Sequence, residues 1–284
     1  MQKETWTTVL KGVCVGGSMT VPGVSGGSMA MILGIYDRLI ASISSLSKDF
    51  RGNLSFLLRF LLGSALGMAL FANPLLALIE RCPRPMLFFF IGAVAGGVPM
   101  VLKKAQVRSL SAQTVLCPLA GAACVLALSL LPEGLFQAQA GLAGLLLEIA
   151  AGVVAAVALV LPGVSVSYML LMMGLYDRVL QNIAAFNVPA LLPLAAGLVL
   201  GILATTRALE RAMHRFPRPT YLLILGFVLG SVAEVFPGLP VGAAEWAICP
   251  LMAAGGYCAI DLMTRGSQAR AARSGAGRDP AIGR

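Results

Sequence analysis

Charge is scarce in this chain. Only 12% of its 284 residues are Asp, Glu, Lys or Arg, while 58% are hydrophobic. A soluble domain covers its surface with about twice that share of charge, so a soluble globular protein is excluded. Histidine is all but missing. The single His214 leaves a His-based metal centre or a Ser/His/Asp hydrolase little to build on. The six cysteines, Cys14, Cys82, Cys117, Cys124, Cys249 and Cys258, show no metal-ligand spacing and stand mostly in apolar stretches, as small hydrophobes do. Aromatics, at 7%, do not interleave with basic residues, so the net charge of +9 does not describe a nucleic-acid surface. No convincing cleavable signal opens the chain, where Lys3 and Glu4 precede the first apolar stretch.

Apolar side chains are plentiful, and 32 Gly and 16 Pro accompany them. Gly allows membrane helices to pack closely, and Pro is tolerated there when neighbours satisfy the freed backbone groups. The basic residues sit at the ends of apolar stretches and in the C-terminal segment, where they set topology and attract anionic headgroups.

The chain also repeats itself. Val21-Pro22-Gly23-Val24-Ser25 leads to Gly34-Ile35-Tyr36-Asp37-Arg38, and at an offset of 140 Leu161-Pro162-Gly163-Val164-Ser165 leads to Gly174-Leu175-Tyr176-Asp177-Arg178. The match resumes at an offset of 134: Gly63 and Gly67 with Gly197 and Gly201, Pro83-Arg84-Pro85 with Pro217-Arg218-Pro219, Gly92 and Gly96 with Gly226 and Gly230. An ordered series of this kind marks a tandem duplication.

Each copy divides into four apolar blocks. The first, residues 7–38, is broken at Pro22-Gly23 into arms of about 14 residues. Each would reach about 21 Å, short of a hydrocarbon core of about 30 Å, which predicts a re-entrant hairpin. Spans follow at about 54–79, 86–102 and 114–131. The second copy predicts a hairpin at 145–178 and spans near 189–210, 220–236 and 244–263. With re-entrant hairpins most of the 21 basic residues fall on the side of both termini. Only Arg81, Arg84 and Arg178 are left opposite, with Arg59 near a helix start; hairpins that crossed would weaken this asymmetry. The positive-inside rule therefore favours re-entrance and cytoplasmic termini. Three crossings per copy is odd, so the second copy is inverted. The expected fold is an all-α integral membrane protein of two inverted-topology repeats, 1–138 and 139–263, each a re-entrant helical hairpin followed by three transmembrane helices. A basic, disordered cytoplasmic tail is expected over 264–284.

The hairpin tips carry the chemistry. In Pro22-Gly23-Val24-Ser25-Gly26-Gly27-Ser28, Pro stops one arm, Gly makes the turn, and Ser25 is placed to cap the next arm. Gly26 and Gly27 let a ligand approach the first N–H groups, a common phosphate site. Pro162, Gly163, Ser165 and Ser167 form the second tip, and two tips meeting near the midplane would cradle one phosphate. The competing account is a pair of packing turns with no ligand. Arg38 and Arg178, in the Tyr-Asp-Arg strings that close the second arms, would each receive a phosphate headgroup at one leaflet; the alternative is a helix C-terminus with Arg on its carbonyls. Glu148, in an apolar run, is a candidate for proton coupling or substrate pairing, with Asp37 and Asp177 beside it; Lys11 occupies the matching arm. Glu80-Arg81 and Glu210-Arg211 read as structural pairs at helix ends, and the Gly63/Gly67 and Gly197/Gly201 spacings as close helix packing.

The stretch from Pro22 to Ser28 and on through Leu33 to Arg38, with the Pro162-to-Arg178 segment, resembles the polyprenyl-phosphate transporter family PopT, formerly domain of unknown function 368. The resemblance covers about residues 7–263. It implies a flippase that returns undecaprenyl phosphate across the bacterial inner membrane for peptidoglycan and other envelope polymers, with both termini cytoplasmic. No nucleic-acid partner is expected, for want of aromatic–basic interleaving. Ser28 stands where the family commonly has Thr, and Asp37 and Asp177 where it has Glu. Val166 replaces a usual Gly, which restricts approach to the second tip. A transporter or channel for a small anion would use the same helix ends; a lipid phosphatase lacks the residues for hydrolysis. The expectation is no enzyme activity, no cofactor and no metal. Protons or the membrane potential would drive transport. The sequence does not fix an oligomeric state.

Overall fold

The computed structural model describes residues 2–19, 25–107, 109, 111–132, 134 and 141–275, with the side chains of 2–4 and 266–275 left out. Pro22 and Gly23 lie outside the described residues. Within them the chain forms helices α1 (Gln2–Ser18), α2 (Gly26–Ile32), α3 (Tyr36–Ser44), α4 (Phe50–Arg81), α5 (Pro83–Lys104) and α6 (Ala112–Ser129). The same order recurs as α7 (Leu142–Val160), α8 (Val166–Met172), α9 (Tyr176–Ala184), α10 (Val188–Arg215), α11 (Pro217–Val235) and α12 (Gly242–Gly275). Seven of these, α4 to α7 and α10 to α12, are long and apolar enough to cross a membrane.

Local chemistry sets the breaks. Ser25 caps α2 by accepting from the Ser28 N–H, and Ser165 caps α8 by accepting from the Tyr168 N–H. Both short helices end in one motif. Gly34 (φ +67°) and Gly174 (φ +68°) take the left-handed conformation. The N–H of Ile35 then returns to the Ala30 carbonyl, and that of Leu175 to Leu170, so a glycine closes each helix by satisfying its last carbonyls. Pro83 and Pro217 open α5 and α11 at positions where a missing N–H costs nothing.

Three expectations need correction. The hairpin arms are unequal: α1 and α7 have 17 and 19 residues, α2 and α8 only 7 each. At 1.5 Å per residue α7 reaches about 28 Å and α8 about 10 Å. The Tyr-Asp-Arg strings do not close the second arms. They open the new helices α3 and α9, with Asp37 and Asp177 in their first turns, because the preceding glycine has already ended the arm. The tail does not begin at 264: α12 continues to Gly275, through residues of good helical propensity and an Asp261–Arg265 pair one turn apart. Residues 276–284 lie outside the described residues.

The long helices pack in four pairs: α1 on α4, α7 on α10, α5 on α12, and α6 on α11. Small residues set the register. A Cβ on Gly63 would lie 2.4 Å from the Val9 carbonyl oxygen, and one on Gly67 2.1 Å from that of Val13. Rising numbers meet rising numbers, so α1 and α4 run parallel. Gly197 meets Ile149 and Gly201 meets Val153, making α7 and α10 parallel too. Gly92 meets Ala253 and Gly96 meets Tyr257, while Gly226 meets Pro118 and Gly230 meets Ala122. All four pairs are parallel, and the last two join different copies. The Pro-Arg-Pro arginines fasten those two pairs at their starts. Arg84 bonds Glu245 at 3.1 Å, and Arg218 bonds the Ser111 hydroxyl at 2.8 Å. Arg84 and Arg218 correspond at the offset of 134, and so do Ser111 and Glu245.

The short helices of the two copies are not equally buried. In α2, Met29 to Ile32 are almost fully enclosed (Met31 0% exposed), and α3 buries Tyr36 and Ile40. In α9 no residue is buried. α3 packs against both α4 and α10, which puts α2 and α3 in the interior.

Candidate functional site

The two tips meet. The Gly163 N–H donates to Ser25 Oγ at 3.0 Å, the same oxygen that accepts the Ser28 N–H at 3.0 Å. Those two bonds use the oxygen's two lone pairs, so the Ser25 proton turns to Ser28 Oγ, 2.8 Å away. A Cβ on Gly27 would come within 3.2 Å of Pro162 Cα, so the glycine permits this approach. Gly163 is constrained twice: its φ is +86°, and a Cβ there would lie 2.3 Å from the Phe227 carbonyl oxygen on α11.

A cavity of about 760 Å³ opens at this contact. Ser25, Gly26 and Gly27 of the first tip line it beside Gly163 to Ser167 of the second. Away from the tips its wall turns apolar, with Leu39, Ile40 and Ile43 on α3 and Leu57, Phe60 and Leu61 on α4. Leu61 (58% exposed) and Leu159 (47%) carry that wall out to the helix surface. A second cavity of about 450 Å³ lies against α6 and α8 and shares Gly163, Val164, Ser165 and Glu234 with the first. The turn at Gly163–Ser165 therefore stands between two spaces.

With the Ser25 hydroxyl committed to the tips and the Ser28 and Tyr168 N–H groups to the caps, the polar end offers the Ser165 and Ser167 hydroxyls and the N–H groups of Gly26, Gly27, Val166 and Ser167, which no helix bond uses. Helices of seven residues have small dipoles, worth at best about 0.3–1 kcal/mol to an anion. Individual donors to a charged acceptor, at about 1.5–3 kcal/mol each, matter more. Such an end can hold a small oxyanion, and the apolar wall can take a hydrocarbon chain attached to it.

The other expected site residues lie elsewhere. Ser28 is buried behind Ser25. Val166 lines the cavity and packs against the cluster of Val125 and Phe227. Arg38 is exposed, its guanidinium 5.3 Å from the centre of the Phe56 ring on α4. Arg178 is not separate from Glu148: they form an ion pair at 2.9 Å, with Glu148 only 13% exposed. Asp37 pairs with Lys104 at 2.6 Å and accepts the Tyr221 hydroxyl at 3.0 Å, whereas Asp177 is exposed. None of these five charged residues lines either cavity. Glu210 accepts a hydrogen bond from Ser44, tying α10 to α3. Tyr36 donates to the Val160 carbonyl at 2.6 Å and fastens α3 to the end of α7.

Ser231 and Glu234, one helical turn apart on α11, line the first cavity and were not anticipated. Glu234 stands near the end of an apolar run, the signal that singled out Glu148, and the same signal could have found it.

The chain is similar to two proteins named polyprenyl-phosphate transporter. That of Staphylococcus aureus is 34% identical over 260 residues, 87% of this chain and 91% of the relative. That of Vibrio cholerae is 30% identical over 245 residues, covering 81% and 77%. No solved structure matches the chain. Residues 15–247 match the VCA0040-like family, described as undecaprenyl phosphate translocase-like, and with that match, two curated relatives and a duplicated tip at the cavity, the chain belongs to the undecaprenyl phosphate translocase-like family.

Proposed function

We propose that this protein is a flippase for polyprenyl phosphate, undecaprenyl phosphate in particular, acting in the bacterial inner membrane to return the carrier lipid for cell-envelope synthesis. One observation carries this reading: both tips converge on a single cavity with a small polar end and an apolar wall that reaches the outer helix surface. That is the shape of an amphiphile with a compact headgroup and a long tail. A volume of about 760 Å³ lies within the ~300–1,000 Å³ of small-ligand sites, room for a headgroup and a few isoprene units. The remaining chain would trail into lipid past Leu61. The names of the two relatives point the same way.

Alternating access between leaflets follows from inverted repeats with re-entrant hairpins, over residues 1–138 and 139–263, and the packing registers support both. α1 and α4 run parallel, so a chain that leaves α1 and enters α4 has turned back through α2 and α3. α7 and α10 repeat the pattern. If consecutive spans α4, α5 and α6 alternate in direction, the parallel α6–α11 pair gives α11 the direction of α4, and α10 the opposite one. The second copy is then upside down relative to the first, with both termini in the cytoplasm. Pro22, Gly23, Ser25, Gly26, Gly27, Pro162, Gly163, Ser165 and Ser167 are assigned to the headgroup. Arg38 and Arg178 are assigned to its arrival at either leaflet.

Purified protein in liposomes tests this. A fluorescent short-chain polyprenyl phosphate should exchange between leaflets without anion current. Anion current without lipid exchange would support a small-anion pathway instead, which the largely apolar wall disfavours.

A further inference from the structure

We infer that Glu234 takes up a proton when a lipid phosphate occupies the tips and releases it once the headgroup has crossed, so that transport is coupled to protons. This rests on the function proposed above. Among the described residues, Glu234 is the one charged side chain lining either cavity, and it lines both. It shares this position with the turn Gly163–Ser165, so a headgroup passing from one space to the other passes Glu234.

The sign of the charge poses the problem. The cargo is an anion, and the residue beside its path is a carboxylate. Glu234 is exposed, yet a second negative group brought against it beside a largely apolar wall disfavours its ionised form. A lysine or arginine would relieve this, but among the described residues none lines either cavity. Lys104 is held by Asp37 and Arg178 by Glu148. The titratable groups facing the two spaces are tyrosines with hydroxyls already committed. Tyr36 on α3 donates to Val160, and Tyr168 on α8 to the carbonyls of Ser129 and Leu131. The facing side chains of α4 and α6 contribute neutral serines, Ser64 and Ser129, and on α11 itself Ser231 precedes Glu234 by one turn.

A proton resolves the conflict. The Glu234 carboxylate gains one proton from the side on which cargo loads, and the resulting carboxylic acid donates its O–H to a phosphate oxygen. On the other side the proton leaves to water and the carboxylate reforms. No bond of the lipid is made or broken, and one proton travels with each headgroup.

Liposomes containing the full chain, in sodium-free buffer with the membrane potential clamped to zero, carry a fluorescent short-chain polyprenyl phosphate and a lumenal pH dye. With a gradient of one pH unit, acid on the loading side and tried in both polarities, wild type should concentrate the lipid about tenfold in the far leaflet, as one coupled proton allows. The dye should record proton entry with lipid. E234Q should lose the response to the gradient, and E234D, which keeps a titratable acid, should retain it. Lipid movement by wild type that ignores the gradient would overturn the inference while leaving the flippase intact. So would a gradient response retained by E234Q, since the cargo's own titration would then be responsible. If wild type moves no lipid under any gradient, the proposed function itself fails.

Discussion

The backbone N–H of Gly163 donates to the hydroxyl oxygen of Ser25 at 3.0 Å across 138 positions of sequence. Ser25 thus does two things: it caps α2 and holds the second tip in place. Ser165, its counterpart, receives the Tyr168 N–H at 3.3 Å and, among the described residues, no bond from the other tip.

The two serines are therefore unequal. Ser25→Ala should lower lipid transport more than Ser165→Ala, by several-fold in liposome flux. Each change also removes a helix cap worth about 1 kcal/mol, which thermal unfolding in detergent would record as similar shifts. Equal transport losses in the two variants would mean that the contact between tips does not matter.

Gly163→Ala meets both a left-handed backbone and the Phe227 carbonyl. A non-glycine residue at such an angle costs on the order of 1–3 kcal/mol. The clash adds to this, and α11 must shift to relieve it. The expected result is a clear fall in melting temperature together with lost transport. Gly134→Ala, where φ is +71° but a Cβ would meet nothing, separates the two costs and should melt closer to wild type.

The Glu148–Arg178 pair predicts reciprocal dependence. Arg178→Gln leaves a largely buried carboxylate without its partner, and Glu148→Gln leaves an exposed guanidinium that water can serve, so the first change should be the more destabilising. The double variant should regain stability, with a coupling of about 0.5–3 kcal/mol in a double-mutant cycle. If the double variant is stable but still fails to transport, Arg178 also serves the headgroup.

Arg84 and Arg218 fasten parallel helix pairs and line neither cavity. Neutral replacement of either should lower the melting temperature, with Arg84→Gln and Arg218→Gln similar in size. Flux per folded molecule should be kept within about twofold, since neither arginine lines a cavity. A large loss of flux at unchanged stability would give these arginines a place in transport.

The sequence shows these features unevenly, for physical reasons. The duplication is legible because its marks are local: Pro-Gly breaks, a capping serine and glycine spacing all act within a few residues. Tyr-Asp-Arg reads from sequence as a helix end, whereas Gly34 and Gly174 before it carry the signal of a helix already finished. The ion pair between Glu148 and Arg178 joins residues from different helices, and neither residue type names its partner. The same holds for α5 with α12 and α6 with α11: small residues advertise close packing but not against which helix. The central burial of α2 and α3 depends on α3 reaching α10, a tertiary contact with no local mark.

Lipid flux through Ser25→Leu, set beside wild type in liposomes of equal protein content, tests most directly whether the joined tips hold the phosphate. With insertion and a monodisperse detergent profile retained, the variant is predicted to lose at least about tenfold of its flux, since leucine removes the hydroxyl and fills the polar end of the cavity. Wild-type flux through Ser25→Leu would contradict a headgroup site at the tips.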